Sequence, residues 1–324
     1  MSLIKKCNII GISLGDAAGI GPEVVYKALS NSSINKNSQY LIFGSEAVFE
    51  EVAKMLPDIK PEVPYQFYHS AKSNQFKFSE KMKGKISKKC GQYAVQWIKN
   101  AFLAYQKGEI DALVTAPINK EACHLSGFKF KGHTDFLASL CKSNPGKMMF
   151  YSKKIKVILV SHHLALKEAI NYLSVKNILS TIISGNDNMK NLGIKHPLVL
   201  VSGLNPHASE NGAFGTEEQK IIYPAIEKAL RLGIHVKGPY PPDTIFKTAL
   251  EEKKSIVVAM THDQGLIPFK LLAFDSGVNI TTGLPIIRTS PDHGTAFDIA
   301  WKGIASERSM IEAINLSIRL SRNP

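Results

Sequence analysis

Short apolar runs recur along the chain at intervals that leave room for a helix between them. Asn8 to Leu14, Tyr40 to Phe43, Ala112 to Thr115, Lys156 to Val160, Leu198 to Val201 and Ser255 to Met260 are rich in Val, Ile and Leu, with little polar alternation. A strand with one wet face alternates, so a continuous run predicts a strand buried on both faces. Between the runs the apolar positions change to helical spacing. From Tyr93 to Tyr105, positions 93, 94, 97, 98, 101, 102 and 105 share a face, and Gly108 ends the run. TEEQKIIYPAIEKALRLG predicts another helix, with Thr216 and Gln219 in capping-box positions and a stop at Gly233. This rhythm predicts an α/β fold with mostly parallel sheets. The Pro- and Lys-rich stretch around 60 to 89 predicts a long loop or insertion.

The polar residues fall where the runs end. Gly15-Asp16 follows the first, and Thr115 to Lys120, Ser161-His162-His163, Gly203 to His207 and Thr261-His262-Asp263 follow others. In an open α/β sheet, ligands bind at the carboxyl ends of the strands, so these clusters predict one functional rim. The segment Met260 to Ala300 is richest, adding Lys270, Asn279 and Arg288 among glycines and β-branched residues. Two cations and an amide suit a small anion. Lys and Arg total 40, yet only five are Arg (231, 288, 308, 319 and 322), so Arg288 stands out. Its planar fork grips phosphate or carboxylate in a way that an ammonium cannot.

Composition narrows the class. With 324 residues, 44% hydrophobic and 21% charged, the chain can bury one large or two medium cores. No stretch approaches the roughly 18 apolar residues of a membrane span. The opening MSLIKKCNIIGISLG reads as a first buried strand rather than a signal peptide, which predicts a cytoplasmic protein. Cys7, Cys90, Cys123 and Cys141 show no CxxC pairing and read as buried thiols. The net charge of +13 is spread and lacks Arg clusters or a nucleic-acid-binding module, so it predicts no nucleic-acid partner and helps attract an anionic substrate.

His163, His207 and His262 each follow a predicted strand closely. Neutral imidazoles on rigid strand ends suit a catalytic divalent ion such as Zn²⁺. Spacing alone does not separate a shared metal from three independent loop histidines, and it leaves open which of His162 and His163 points inward. His133, in Gly132-His133-Thr134-Asp135, opens a helix-like segment where an anion would meet N–H groups. GISLGDAAGIGPE does not fit the G-x-G-x-x-G fingerprint, and no Walker lysine is present. Asp292-His293-Gly294-Thr295 offers a turn for an adenosine instead.

GDAAGIGPE, TAPINKEA, GHTDFLA, SHHLAL, GLNPHASENGAFGTEE, GPYPPDTIF and THDQGLIPFK with GVNITTGLPIIRTSPDHGTA resemble, in order and spacing, the 4-hydroxythreonine-4-phosphate dehydrogenase family, across nearly the whole chain. The resemblance implies an isocitrate/isopropylmalate dehydrogenase-like fold. Its two α/β/α subdomains would be 1–130 with 295–324, and 131–294, with the active site in the cleft between them. It implies NAD or NADP as cofactor and one divalent ion (Zn, Mg or Co) per subunit, held by His163, His207 and His262. It also implies a homodimer with the metal at the interface. The substrate contacts carried over are His133, Thr134, Lys270, Asn279 and Arg288. Asp243 and His133 are candidate bases, and Asn205, Asp292, His293, Gly294 and Thr295 candidate cofactor contacts. The implied reaction oxidises 4-phosphohydroxy-L-threonine; a relative acting on threonate or erythronate 4-phosphate is the alternative. The chain departs from the family pattern at Ala17, Asp135, Ala165 and Trp301, the last where Gly is common beside the cofactor motif.

Overall fold

The computed structural model describes residues 7–69, 76–143 and 146–322. The chain divides into two compact units, Met1–Pro145 with Leu284–Arg322, and Gly146–Gly283. In the first, the order is β1 (Asn8–Ser13), α1 (Gly21–Leu29), β2 (Ser38–Phe43), α2 (Glu46–Met55), β3 (Tyr65–Phe67), α3 (Lys88–Gln106), β4 (Ala112–Thr115), α4 (Lys120–Leu125) and α5 (His133–Leu140). The second runs β5 (Met148–Tyr151), β6 (Lys156–Leu159), α6 (Leu166–Tyr172), α7 (Val175–Asn191), β7 (Leu198–Ser202), α8 (Tyr223–Arg231), β8 (Val236–Tyr240), α9 (Ile245–Glu251), β9 (Ser255–Ala259), α10 (His262–Ala273) and β10 (Val278–Thr281). The chain then returns to the first unit as β11 (Arg288–Pro291) and α11 (Arg308–Ser321).

Strands of the first unit lie in the order β3-β2-β1-β4-β11, each parallel to its neighbour. Central β1 pairs on both sides, Ile10 opposite Tyr40 and Ala112, and its consecutive residues Ile10 to Ser13 are all buried, so both faces are covered and the apolar run shows no alternation. Helix α3 buries Ala94, Trp97, Ile98 and Ala101, the helical stripe expected from the sequence, and packs with α11 onto β1 and β4.

In the second unit the order is β10-β5-β6-β9-β7-β8. Strands β6, β9, β7 and β8 are mutually parallel, while β5 runs against both β6 and β10. Helices cover both faces. Val157, Leu159, Val257 and Ala259 join a core with Leu266 and Phe269 of α10 and Ile245 of α9. A Cβ at Gly265 would fall 2.7 Å from Leu159 and 2.9 Å from Val157, so α10 reaches the sheet only through a glycine. The alternate residues Ile158 and Ile256 meet α7 at Gly185.

All six apolar runs are strands. Other expectations need correction. The stretch 60–89 is not one long loop: it contains β3, a 3₁₀ turn at Glu80–Met82 and the start of α3, while residues 70–75 lie outside the described residues. The capping box does not form. A π turn, Glu218–Ile222, precedes α8, and the Gln219 side chain accepts from Ser209 Oγ at 3.4 Å. Cys90 and Cys123 are buried free thiols, but Cys7 is exposed and Cys141 half-buried.

Candidate active site

Strands β6, β9 and β7 are adjacent and parallel, so the segments that follow them leave from the same edge of their sheet. His163 follows β6, His262 opens α10 after β9, and His207 follows β7. The rings of His163 and His262 lie 6.1 Å apart, and His163, rather than His162, makes that approach. Backbone and side-chain bonds fix the two loops: Ser161 Oγ donates to the Met260 carbonyl at 2.8 Å. His262 Nδ1 lies 2.6 Å from Asp263 Oδ1. A carboxylate only accepts, so in the neutral ring this contact goes with the proton on Nδ1 and the lone pair on Nε2. That donor chemistry fits a metal ligand. His207 stands in a left-handed turn, its ring 6.2 Å from Phe214. Among the described residues, no three His, Cys, Asp or Glu side chains gather into a metal-holding group within one chain. His163 and His207 are both exposed, and His262 is partly so.

Also in the second unit, Lys270 lies on α10 and is exposed. Asn279 sits on β10 opposite Phe150, its Oδ1 sealed from solvent with no hydrogen-bond partner among the described residues. Asp243 is exposed in the turn between β8 and α9. Asn205, a candidate cofactor contact, donates from Nδ2 to Glu217 and Glu218, both at 2.8 Å.

The first unit holds a buried cation. Arg288 opens β11, is only 3% exposed, and donates from Nε (3.0 Å) and Nη2 (2.6 Å) to Thr115 Oγ1 at the end of β4. The pairing of β11 with β4 sets that contact. Burial pulls the guanidinium down to about 9, which still leaves it charged at neutral pH. His133, first residue of α5, has an Nε2 sealed from solvent with no hydrogen-bond partner among the described residues. Burial first, then the charges of Arg288 and Lys120, hold its pKa well below the ordinary imidazole value. It is therefore neutral at pH 7, a hydrogen-bonding group beside two cations, which suits an anion better than a proton acceptor of its own accord. Thr134 follows it on α5. At the end of β1, Asp16 is fully buried. Its Oδ1 accepts from Ala18 N at 2.9 Å, and its Oδ2 has no partner among the described residues. Burial pushes its pKa up to about 6 against two opposing backbone bonds, from Ala18 and Asn119.

The turn Asp292 to Thr295 is tied to the glycine-rich turn after β1, because Ile20 N donates to the Thr295 carbonyl at 3.0 Å. His293 Nδ1 lies 3.1 Å from the Gly294 carbonyl. Trp301 has φ +62°, the left-handed region that favours glycine, in keeping with the Gly common there in the resembling family. Its ring stacks on Phe78 with centroids 4.9 Å apart, lies 4.5 Å from Lys83 Nζ, and donates from Nε1 to the Ala17 carbonyl at 3.1 Å. Trp301 thus joins the Lys-rich stretch to the turn preceding α1. Sequence reasoning gave no role to Thr115, Glu218 or Gln264, although all three lie in the quoted motifs; what marks them is their contacts.

The family described as "Pyridoxal phosphate biosynthetic protein PdxA" matches residues 36–317. The D-threonate 4-phosphate dehydrogenase of Salmonella typhimurium (strain LT2) is 42% identical over 98% of this chain and 100% of its own. The 4-hydroxythreonine-4-phosphate dehydrogenase of Desulfosudis oleivorans is also 42% identical, over 96% of this chain and 95% of its own. Among solved structures, the 4-hydroxythreonine-4-phosphate dehydrogenase of Klebsiella pneumoniae superposes with a TM-score of 0.84 at 36% identity, covering 98% of each chain.

Proposed function

The chain belongs to the pyridoxal phosphate biosynthetic protein PdxA family, a family of dehydrogenases, and on that premise we propose that it oxidises 4-phosphohydroxy-L-threonine with NAD or NADP and one divalent ion. The product, 2-amino-3-oxo-4-phosphobutanoate, is a β-keto acid and loses CO₂ to give 3-amino-2-oxopropyl phosphate, which places the reaction in pyridoxine 5'-phosphate synthesis. The observation that carries the reading is the Arg288, Thr115 and His133 arrangement: a buried guanidinium held by a hydroxyl beside a neutral imidazole whose Nε2 has no hydrogen-bond partner among the described residues. An anionic group of the substrate brings an opposite charge to the guanidinium and a partner to the imidazole nitrogen. Thr134, Lys270 and Asn279 complete the proposed substrate contacts, and the orphaned Asn279 Oδ1 suits a substrate hydroxyl or ammonium.

When bound, the divalent ion and the nicotinamide supply polarisation of the substrate hydroxyl and a hydride acceptor. His163, His207 and His262 are the residues proposed to hold the ion. Asp292, His293, Gly294 and Thr295 are those proposed for the adenosine. The reaction also requires a base for the hydroxyl proton. Asp243, exposed on its turn, is one candidate. His133 is the other: burial first, then the charges of Arg288 and Lys120, keep its pKa low, and an anion beside those cations offsets the second cause and so raises its basicity.

The dimer belongs to the same proposal. Along α10 and at its C-cap, Ile267, Leu271 and Phe274 follow helical spacing and are 61%, 82% and 71% exposed. An apolar stripe of this kind on the helix that begins with His262 suits a second copy of the chain, which would bring its own histidines to that end.

A second substrate is favoured by a specific observation: a relative named for D-threonate 4-phosphate is as similar as one named for 4-hydroxythreonine-4-phosphate. The two substrates share phosphate, hydroxyl and carboxylate and differ at C2, amine against hydroxyl. Initial rates of nicotinamide reduction on both, with each cofactor and added divalent ion, test the reading. Higher kcat/KM on the amino acid supports it, higher kcat/KM on D-threonate 4-phosphate selects the second substrate, and no reduction with either contradicts both.

A further inference from the structure

Residues His207 to Asn211 are five consecutive non-glycine residues with φ between 44° and 67°. For L residues this conformation costs about 1–2 kcal/mol each, because Cβ crowds the following carbonyl. A turn so disfavoured persists only where its surroundings over-determine it. Two groups hold the chain that enters it. On one side is Glu218, 0% exposed, the first residue of the π turn before α8. Its Oε1 accepts from Leu204 N and Asn205 N, both at 2.8 Å, and its Oε2 accepts from Asn205 Nδ2 at 2.8 Å. On the other side, Gln264 of α10 donates from Nε2 to the Gly203 carbonyl at 2.8 Å, while its Oε1 accepts from Met260 N at 2.7 Å. Gly203 to Asn205 is thereby fixed between a buried carboxylate and the helix that His262 opens. Three donors converge on Glu218, and a carboxylate is the side chain of that size that accepts from all of them without presenting a donor in return.

We propose that Glu218 is a positioning residue that holds the left-handed turn and so fixes the direction in which His207 is presented as a metal ligand. The inference rests on the reading of His207 as a ligand given above. A carboxylate with only a folding role would change stability and leave the ligand's geometry alone. Glu218 instead acts on metal binding through one residue, and that coupling is measurable.

The test is a Co²⁺ titration of the full-length, metal-free protein, read by affinity and by the visible Co²⁺ spectrum, for wild type, Glu218→Gln, His207→Ala and the double variant. Glu218→Gln with a native far-UV circular dichroism spectrum is expected to bind Co²⁺ about tenfold or more weakly. Its Co²⁺ spectrum shifts towards that of His207→Ala, and the double variant binds no more weakly than His207→Ala alone, since residues acting through one another are not additive. Gln264→Met keeps the side chain's bulk, removes the bond to Gly203 from the other side and loosens Co²⁺ in the same way, which serves if Glu218→Gln fails to fold. Unchanged affinity in a folded Glu218→Gln, or losses that add in the double variant, overturns the inference while leaving His207 a ligand. Full Co²⁺ binding by His207→Ala removes the ligand reading first and the inference with it.

Discussion

Arg288 shows how one side chain combines legible chemistry with an illegible setting. Its rarity in a lysine-rich chain marked it, but the hydroxyl that orients it, Thr115, lies 173 residues away on a neighbouring strand. Because Nε and Nη2 share that hydroxyl, the orientation of the guanidinium is fixed by β4. Arg288→Lys keeps the charge and loses the fork, so KM for the phosphorylated substrate rises about tenfold or more. Unchanged steady-state constants would take Arg288 out of the site. Asp16 gives a prediction on stability. Its carboxyl titrates near 3.8 when unfolded and about 6 when folded, so between those values the native state holds a proton that the unfolded chain has released. Its contribution to stability therefore falls as pH rises through that window, by on the order of 3 kcal/mol, and stays low above it. Asp16→Asn retains an acceptor for Ala18 N and carries no charge. Its melting temperature by calorimetry exceeds wild type by several degrees at pH 7, and the gap narrows sharply by pH 4. A gap of equal size at both pH values would contradict the assignment.

At the scale of elements, the sequence was most readable where a strand is buried on both faces. β1, β6, β7 and β9 are continuous apolar runs because helices cover both sides of their sheets. The pattern was silent for β11, whose Arg-Thr-Ser-Pro is fully buried yet carries no hydrophobic signal; pairing with β4, not transfer of apolar surface, places it there. It was silent again for the turn after β7, where five left-handed residues include no glycine to announce them. Glu218 had no reading of its own within the predicted helix and is a buried carboxylate bonded to the chain that enters that turn. Helix α10 carries the element-scale prediction. If its exposed stripe meets a second copy, Leu271→Glu places a charge in an apolar contact and converts a dimer to a monomer in sedimentation velocity, with the monomer's circular dichroism unchanged. A dimer that survives Leu271→Glu at micromolar protein would move the interface elsewhere.

For the whole molecule, the two units arise because the chain leaves the first after α5 and returns to it at β11, so residues distant in sequence, such as His133 and Arg288, share a unit. Among the described residues no helix is long and apolar enough to cross a membrane, in line with the absence of any long apolar run. The proposed metal ligands were the least legible feature from spacing, because 44 positions separate His163 from His207 and 55 separate His207 from His262. The resemblance supplied them as a set. The structure pairs two of them and leaves the third on its own turn, an arrangement that a second chain can complete. The most direct test mixes two inactive variants, His207→Ala and His262→Ala, under conditions of demonstrated subunit exchange. Should one ion draw ligands from two chains, with His207 and His262 contributed by different subunits, random pairing gives roughly one half mixed dimers with one of their two sites intact, and activity returns to about a quarter of wild type. Sustained inactivity despite exchange would contradict a centre that divides His207 and His262 between two chains.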